Sequence, residues 1–170
     1  MDFEQVIRTR RSVRKYKTDT VPREIIKNIL SDSVSFAPSA KNLQPYKFLV
    51  YKDIKERQQI VSLCKANVFM ANAPYIIVGL ANQETCYPTN AGYMATDLID
   101  FSIVFYQILL SANNEGLATC WIGAFEGEKM EKHLGIKPPW RIVALTPIGY
   151  ADESPIIKPR KAPSEVIEWK

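Results

Sequence analysis

A β-sheet covered by helices is the fold class that this sequence predicts, and two patterns predict it. Segments with apolar residues at helical spacing alternate along the chain with short apolar runs of strand length. One run, "PYIIVGLA", is apolar at almost every position, which marks a central strand covered on both faces. The chain has 170 residues, 46% hydrophobic and 24% charged, enough to bury one ordinary core.

Phe3, Val6 and Ile7 predict a short amphipathic helix over residues 2–9. A second helix follows in "VPREIIKNILSDSVSFAP". Thr20 is placed to cap it, Pro22 suits its first turn, Ile25, Ile26, Ile29, Leu30 and Val34 form its apolar stripe, and Pro38 stops it. "SAKNLQP" is loop chemistry and "YKFLVY" a strand. "DIKERQQIVSLCKA" returns to helix, "PYIIVGLA" is the central strand, and residues 83–90 are a loop. Residues 91–114 predict a long helix, apolar nearly all round, ending near Gly116. "LATCWIGAF" reads as a strand or extended turn, "EGEKMEKHLG" as a short helix closed by Gly135, and "WRIVALTPIGY" as a further strand. The Pro-rich, charged remainder from Ala151 has little core of its own, and the chain has no internal repeat.

Composition narrows the function. The formal charge is only +4, and Asp53, Glu56, Glu126, Glu128 and Glu131 are interspersed with the basic residues, unlike a dedicated nucleic-acid surface. Cys64, Cys86 and Cys120 are odd in number and widely spaced, so no disulfide framework is expected. "MDFEQVIRTR" lacks a signal peptide's apolar core, and the longest apolar run, "LIDFSIVFYQILLSA", carries Asp100 and Gln107 and is too short to span a bilayer. A cytoplasmic location without membrane contact is expected. His133 is the only histidine and sits in the last turn of a helix, which removes most zinc sites and most histidine-assisted nucleophiles. Neither a metal site nor a catalytic side chain is expected.

Four stretches can carry binding chemistry. In "RTRRSVRKYK", six of ten residues are Arg or Lys. Arg10, Arg11, Ser12 and Arg14 offer forks of donors suited to phosphate oxygens, and in an extended segment Ser12 and Arg14 point away from Val13. The same residues also fit a solvated basic face. "KPRK", from Lys158 to Lys161, is a second basic cluster, either a solvated tail or the other half of one anion site. "APSAKNLQPYKF" places Pro38, Ser39, Asn42 and Gln44 on a tight loop that could hydrogen-bond a heterocycle or a phosphate, or be only a loop. In "GLATCWIGAF", Gly123 would let backbone approach a flat ligand, while Trp121 and Phe125 suit either an aromatic pocket, shared with Tyr87 and Tyr93, or the core. Cys120 lies among apolar residues, as an inert buried thiol does.

"RTRRSVRKY", "FAPSAKNLQPYKFLVY", "APYIIVGLA", "GLATCWIGAF…LGI", "IVALTPIGY" and "KPRKAPSEVI" follow one another in the order seen in the nitroreductase family of flavoproteins, and nearly the whole chain resembles a compact member. The resemblance implies an α+β fold, with a central mixed β-sheet flanked by helices, in an intertwined homodimer with FMN at the subunit interface. Residues 1–154 would form the FMN-binding domain and residues 155–170 a C-terminal extension exchanged onto the partner. It implies that Arg10, Arg11, Ser12 and Arg14 hold the FMN phosphate and ribityl chain, closed by Arg160 with Lys158 or Lys161. Pro38, Ser39, Ala40 and Asn42 would reach the ring from the partner subunit. Ile122, Gly123 and Ala124 would approach the isoalloxazine through backbone groups, with Trp121 beside them. Asn67, in "CKANVFM", is the candidate for the ring's polar edge, where the family's pattern often carries a glutamine. The activity implied is hydride transfer from NADH or NADPH through FMN to nitroaromatic, quinone or similar flat acceptors. Relatives of this fold that dehalogenate, dehydrogenate or consume flavin supply the alternative, as does a non-catalytic flavin sensor.

Overall fold

Strand β2 (Tyr75–Asn82) is the axis of the fold, and all eight of its residues are buried. In the computed structural model, which describes residues 1–65 and 67–170, it pairs on one side with β1 (Tyr46–Tyr51) and on the other with β4 (Trp140–Gly149). A two-residue strand, β3 (Ala118–Thr119), pairs with β4 and completes the order β1-β2-β4-β3. These ladders are all antiparallel; the parallel element of the expected mixed sheet is a single bridge from Ser12 to Thr119.

Alternation along β2 builds two cores. Tyr75, Ile77 and Ala81 face α2 (Arg23–Phe36) and α4 (Asp97–Asn114), against Ile26, Ile29, Phe101, Phe105 and Ile108. Ile76, Val78 and Leu80 face the other way, against Ile60 and Val61 of α3 (Ile54–Ser62) and Met130 of α5 (Gly127–Leu134). Gly79 lies beneath an aromatic ring: a Cβ there would stand 2.5 Å from Phe101. Phe101 stacks on Phe105 with centroids 5.1 Å apart, a geometry worth about 1 kcal/mol beyond area burial. α1 (Phe3–Thr9) is capped by Asp2 and Gln5 and docks on α4 through Val6 and the Asn113 side chain.

Three local expectations shift, each for a physical reason. Thr20 does not cap α2. The helix starts at Arg23 behind Pro22, because Val21 is buried and its carbonyl accepts from the Tyr75 hydroxyl, holding the chain extended. The long helix starts at Asp97 rather than at residue 91, because Ala91 (φ 50°) and Gly92 (φ 80°) are left-handed and fold residues 90–94 into a tight turn. The strand expected across "LATCWIGAF" pairs regularly only at Ala118–Thr119; after Cys120 and Trp121 it touches β4 again at a single bridge, Ile122 to Leu145. Gly135 closes α5 at φ 67°, as expected.

Arg57 is almost fully buried. Its Nε donates to the Lys52 carbonyl at 3.1 Å, and its NH1 to the carbonyls of Ala71 (3.0 Å) and Ala73, which braces the chain just before β2. Beyond Ala151 no residue is fully buried. Ile156, Ile157, Val166, Ile167 and Trp169 are 53–92% exposed. No described helix is long and apolar enough to cross a membrane.

Candidate functional site

The basic segment lies on the edge of the sheet. Val13 is buried, its amide donating to the Thr119 carbonyl at 3.0 Å, while Arg14 is exposed and Ser12 is half-buried with its hydroxyl beside Cys120. On its other side the segment pairs with residues 150–153: Lys17 N donates to Tyr150 O, Asp152 N to Lys15 O, and Arg14 N to the Glu153 carboxylate. Lys15 and Asp152 add an exposed ion pair at 2.8 Å. A cavity of about 570 Å³ opens here, lined among others by Arg8, Arg10, Arg11, Leu117 and Glu153.

The three candidate arginines of this segment do different things. Arg11 donates through NH1 to the carbonyls of Arg8 and Arg10, both at 2.7 Å, so much of its fork braces the end of α1. Arg14 is exposed and reaches back to the Ser12 carbonyl at 3.3 Å. Arg10 lies over the Tyr106 ring, 5.6 Å from its centroid, and its buried Nε has no hydrogen-bond partner among the described residues. Arg141 also leaves Nε bare, but its charge is met by buried Asp97 at 2.6 Å. Arg10 has no carboxylate partner of this kind among the described residues.

Cys120 sits beside this segment. Burial pushes its thiol pKa up, while Arg14, the Ser12 hydroxyl and Arg10 pull it the other way. Burial also pushes the Cys64 thiol up, to about 11. Neither is the exposed, low-pKa sulfur that nucleophilic chemistry requires.

From Cys120 the chain leaves β3 toward Gly123. Trp121 packs edge-on against Phe105, with centroids 4.6 Å apart, and stays about two-fifths exposed. Ile122 is buried, but Gly123 and Ala124 are exposed, and a Cβ on Gly123 would meet no atom within 4 Å. Open space lies beside this backbone, so Gly123 is not a packing glycine. Asn67 reaches the same stretch: its Nδ2 donates to the Ala124 carbonyl at 3.1 Å and to the Cys64 carbonyl at 2.9 Å. Phe125 turns into the core around Met130, Tyr93 is 78% exposed, and Tyr87 lies beneath Lys41, 4.6 Å from its centroid.

The loop after α2 is held under strain. Lys41, Asn42 and Gln44 have φ of 49°, 58° and 50°; Lys41 and Gln44 each cost about 1–2 kcal/mol there, while Asn adopts this region more readily. Several bonds offset this. Ser39 Oγ accepts from Gln44 N at 3.1 Å, Gln44 Nε2 donates to Asn42 Oδ1 at 3.0 Å, and Asp100 accepts from Ala40 N at 2.9 Å. Pro38 and Asn42 are exposed, with Ser39 and Ala40 half-buried.

Within one chain this loop and Arg10 do not meet. The loop is tied to Asp100 and Arg10 to Tyr106, which lies about 9 Å further along α4 and roughly 120° around it. Lys158, Arg160 and Lys161 are exposed in the tail; the start of that tail, from Glu153 to Ile157, shares the cavity of Arg10. Sequence reasoning passed over Glu153 and Tyr106, which carry no motif, and took Asp100 only as an interruption of an apolar run. A carboxylate inside such a run was the available signal.

Comparison with known proteins agrees on the family. The family model described as "Putative TM nitroreductase" matches residues 2–170. A protein of Methanothermobacter thermautotrophicus named "Putative NADH dehydrogenase/NAD(P)H nitroreductase" is 30% identical over 161 residues, covering 91% of this chain and 80% of that one. The crystal structure of a nitroreductase family protein from Clostridium novyi NT superposes with a TM-score of 0.80 at 35% identity, over 91% of this chain and 87% of that one. An FMN-dependent nitroreductase from Clostridium difficile R20291 superposes with a TM-score of 0.78 at 27% identity, over 96% and 94%. With a match over nearly its full length, and a basic segment, a strained loop and an open glycine backbone set around one sheet edge and one helix, this chain belongs to the nitroreductase family.

Proposed function

We propose that the chain is an FMN-dependent oxidoreductase that takes hydride from NADH or NADPH and delivers it to nitroaromatic, quinone or similar flat acceptors. The observation that carries the reading is Arg10, whose charge is held against Tyr106 with a buried Nε lacking a partner among the described residues. A phosphate fits that donor set, because Ser12 and exposed Arg14 adjoin it and Arg offers planar donor forks. The flat ring fits the open backbone at Gly123 and Ala124.

When bound, FMN supplies the hydride-accepting and hydride-donating chemistry. The chain binds and orients. Arg10, Arg14 and Ser12 hold the phosphate, and Arg11 keeps the end of α1 in place. Lys158, Arg160 and Lys161 add positive charge from the tail. Trp121, Ile122, Gly123 and Ala124 would lie along the ring, and Asn67, which fixes that stretch through the Ala124 carbonyl, is the candidate for the ring's polar edge. Asn42 uses its Oδ1 on Gln44, which leaves its Nδ2 hydrogens for the ligand. No side chain has to move a proton, in keeping with thiols held protonated by burial.

The working unit in this reading is a homodimer. The apolar side chains of residues 155–170 and the outer face of α4, with Leu98, Ile99, Ile103 and Tyr106 each 37–43% exposed, gain by leaving water together. A second copy would also bring a 38–42 loop to an Arg10 that is held elsewhere on α4 from its own loop. Truncation after Ser154 is expected to remove both the dimer and the flavin; light scattering showing a flavin-loaded dimer of the shortened chain would refute the exchange.

The activity is tested anaerobically. The purified protein, supplied with FMN, should bleach at the flavin absorbance maximum on adding NADH or NADPH and recover it on adding a nitroaromatic or quinone. Bleaching that only a halogenated aromatic reverses would favour the dehalogenating alternative, and no bleaching by either nucleotide would favour a sensor.

A further inference from the structure

Asp100 is 2% exposed in the first turn of α4, and its two oxygens serve two different loops. Oδ1 accepts the Ala40 amide at 2.9 Å, and Oδ2 accepts the Thr96 hydroxyl at 2.8 Å. Thr96, itself buried, passes the link onward: its Oγ1 accepts the Tyr87 amide at 3.1 Å, and its own amide donates to the Tyr87 carbonyl at 3.0 Å. Lys41 lies over the Tyr87 ring at 4.6 Å, so the two loops also touch directly. The far part of the second loop closes on itself at the left-handed Ala91 and Gly92, with Met94 N donating to Asn90 O at 3.2 Å, and leaves Tyr93 78% and Met94 39% exposed. One buried carboxylate and one hydroxyl therefore join the strained 39–44 loop to the base of the 87–96 loop.

We propose that Asp100 is a positioning residue that fixes the 87–96 loop relative to the 39–44 loop, and that the 87–96 loop, which presents Tyr93 and Met94 to solvent, is the one an incoming flat acceptor meets, so that the flavin-side and acceptor-side loops move as one body. The inference rests on the flavin reading for residues 38–42. Asp100 touches neither reacting partner; it acts through Ala40 on one side and through Thr96 and Tyr87 on the other. The two halves of the link are separable, because Thr96 can lose its hydroxyl while Asp100 keeps Ala40.

The test uses the full-length protein with FMN and a quinone acceptor. Thr96→Val should raise the acceptor KM roughly tenfold, as loss of a hydrogen bond to a charged group implies, and leave the FMN Kd within about twofold. Thr96→Ser should restore the KM. Asp100→Ala should raise the FMN Kd and the acceptor KM together; if it does not fold, Thr96→Val with its serine rescue carries the test alone. An unchanged KM in Thr96→Val, or a KM and FMN Kd that rise in step there, would overturn the proposal and reduce Thr96 to a packing role. A wild-type chain that takes no FMN would instead sink the flavin reading. The link would then be judged by amide hydrogen exchange: Thr96→Val must speed exchange at Tyr87 and leave Ala40 slow, and a Tyr87 amide still slow in the variant contradicts it.

Discussion

Arg57 and Arg10 both bury guanidinium nitrogens, but only Arg57 satisfies its own within the chain. Arg57 holds the carbonyls of Lys52, Ala71 and Ala73 and sits where α3 turns toward the central strand. Burial lowers its pKa, with Asp53 acting weakly the other way. Arg10 lies on the sheet edge against one face of Tyr106, with its Nε bare among the described residues. The same chemical group is a brace in one place and an open donor in the other. A satisfied buried cation belongs to the fold, whereas one held in place without a partner points to a ligand that completes it.

Substitutions should separate the two roles. The largest effect is expected for Arg57→Met, which keeps much of the volume but leaves three carbonyls unmet. It should destabilise the chain by about 3 kcal/mol or more, read as a lower urea midpoint, while whatever remains folded keeps its FMN affinity. Weakened flavin binding with unchanged stability would invert the comparison. Arg10→Ala should do the reverse: the flavin-free chain should unfold within about 1 kcal/mol of the wild type, because the Arg10 side chain makes no hydrogen bond among the described residues. A loss comparable to that of Arg57→Met would make Arg10 a second brace.

The smallest effect belongs to the exposed Lys15–Asp152 pair that ties the basic segment to residues 150–153. A hydrogen bond from Lys15, and then its charge, hold the Asp152 carboxyl below its usual range. Its contribution is therefore present above the ordinary aspartate pKa of about 4 and lost as pH falls through the depressed folded value. Asp152→Asn should remove that small acid-side slope from the stability profile and little else, since exposed pairs contribute little. An Asn variant that also lost flavin would show the pair to be part of the binding site.

Much of this was legible in the sequence because it depends on local periodicity. The all-apolar "YIIVGLA" is the central strand, and Arg14 next to buried Val13 is exposed, whereas Ser12 is half-buried with its hydroxyl beside Cys120. What was not legible depends on contacts between distant residues. Thr20 would cap α2 if Val21 were not drawn into the core by Tyr75. Residues 91–96 would extend α4 if Ala91 and Gly92 were not left-handed. At the candidate site, residue types marked out Arg10 and Arg11 equally. Only the fold distinguishes them, since Arg11 turns back onto the carbonyls of α1 and Arg10 does not. Asp100 was visible as a charge in an apolar helix, but its division between two loops depends on where the chain brings Ala40 and Thr96.

The most direct test of the flavin assignment is an FMN titration of the wild type and Arg10→Ala, followed by quenching of flavin fluorescence. The wild type should bind FMN, and the variant should bind it about ten- to a hundredfold more weakly, the loss of one charge-assisted hydrogen bond. Equal affinity in the two proteins, or a wild type that leaves the fluorescence unchanged, would contradict it.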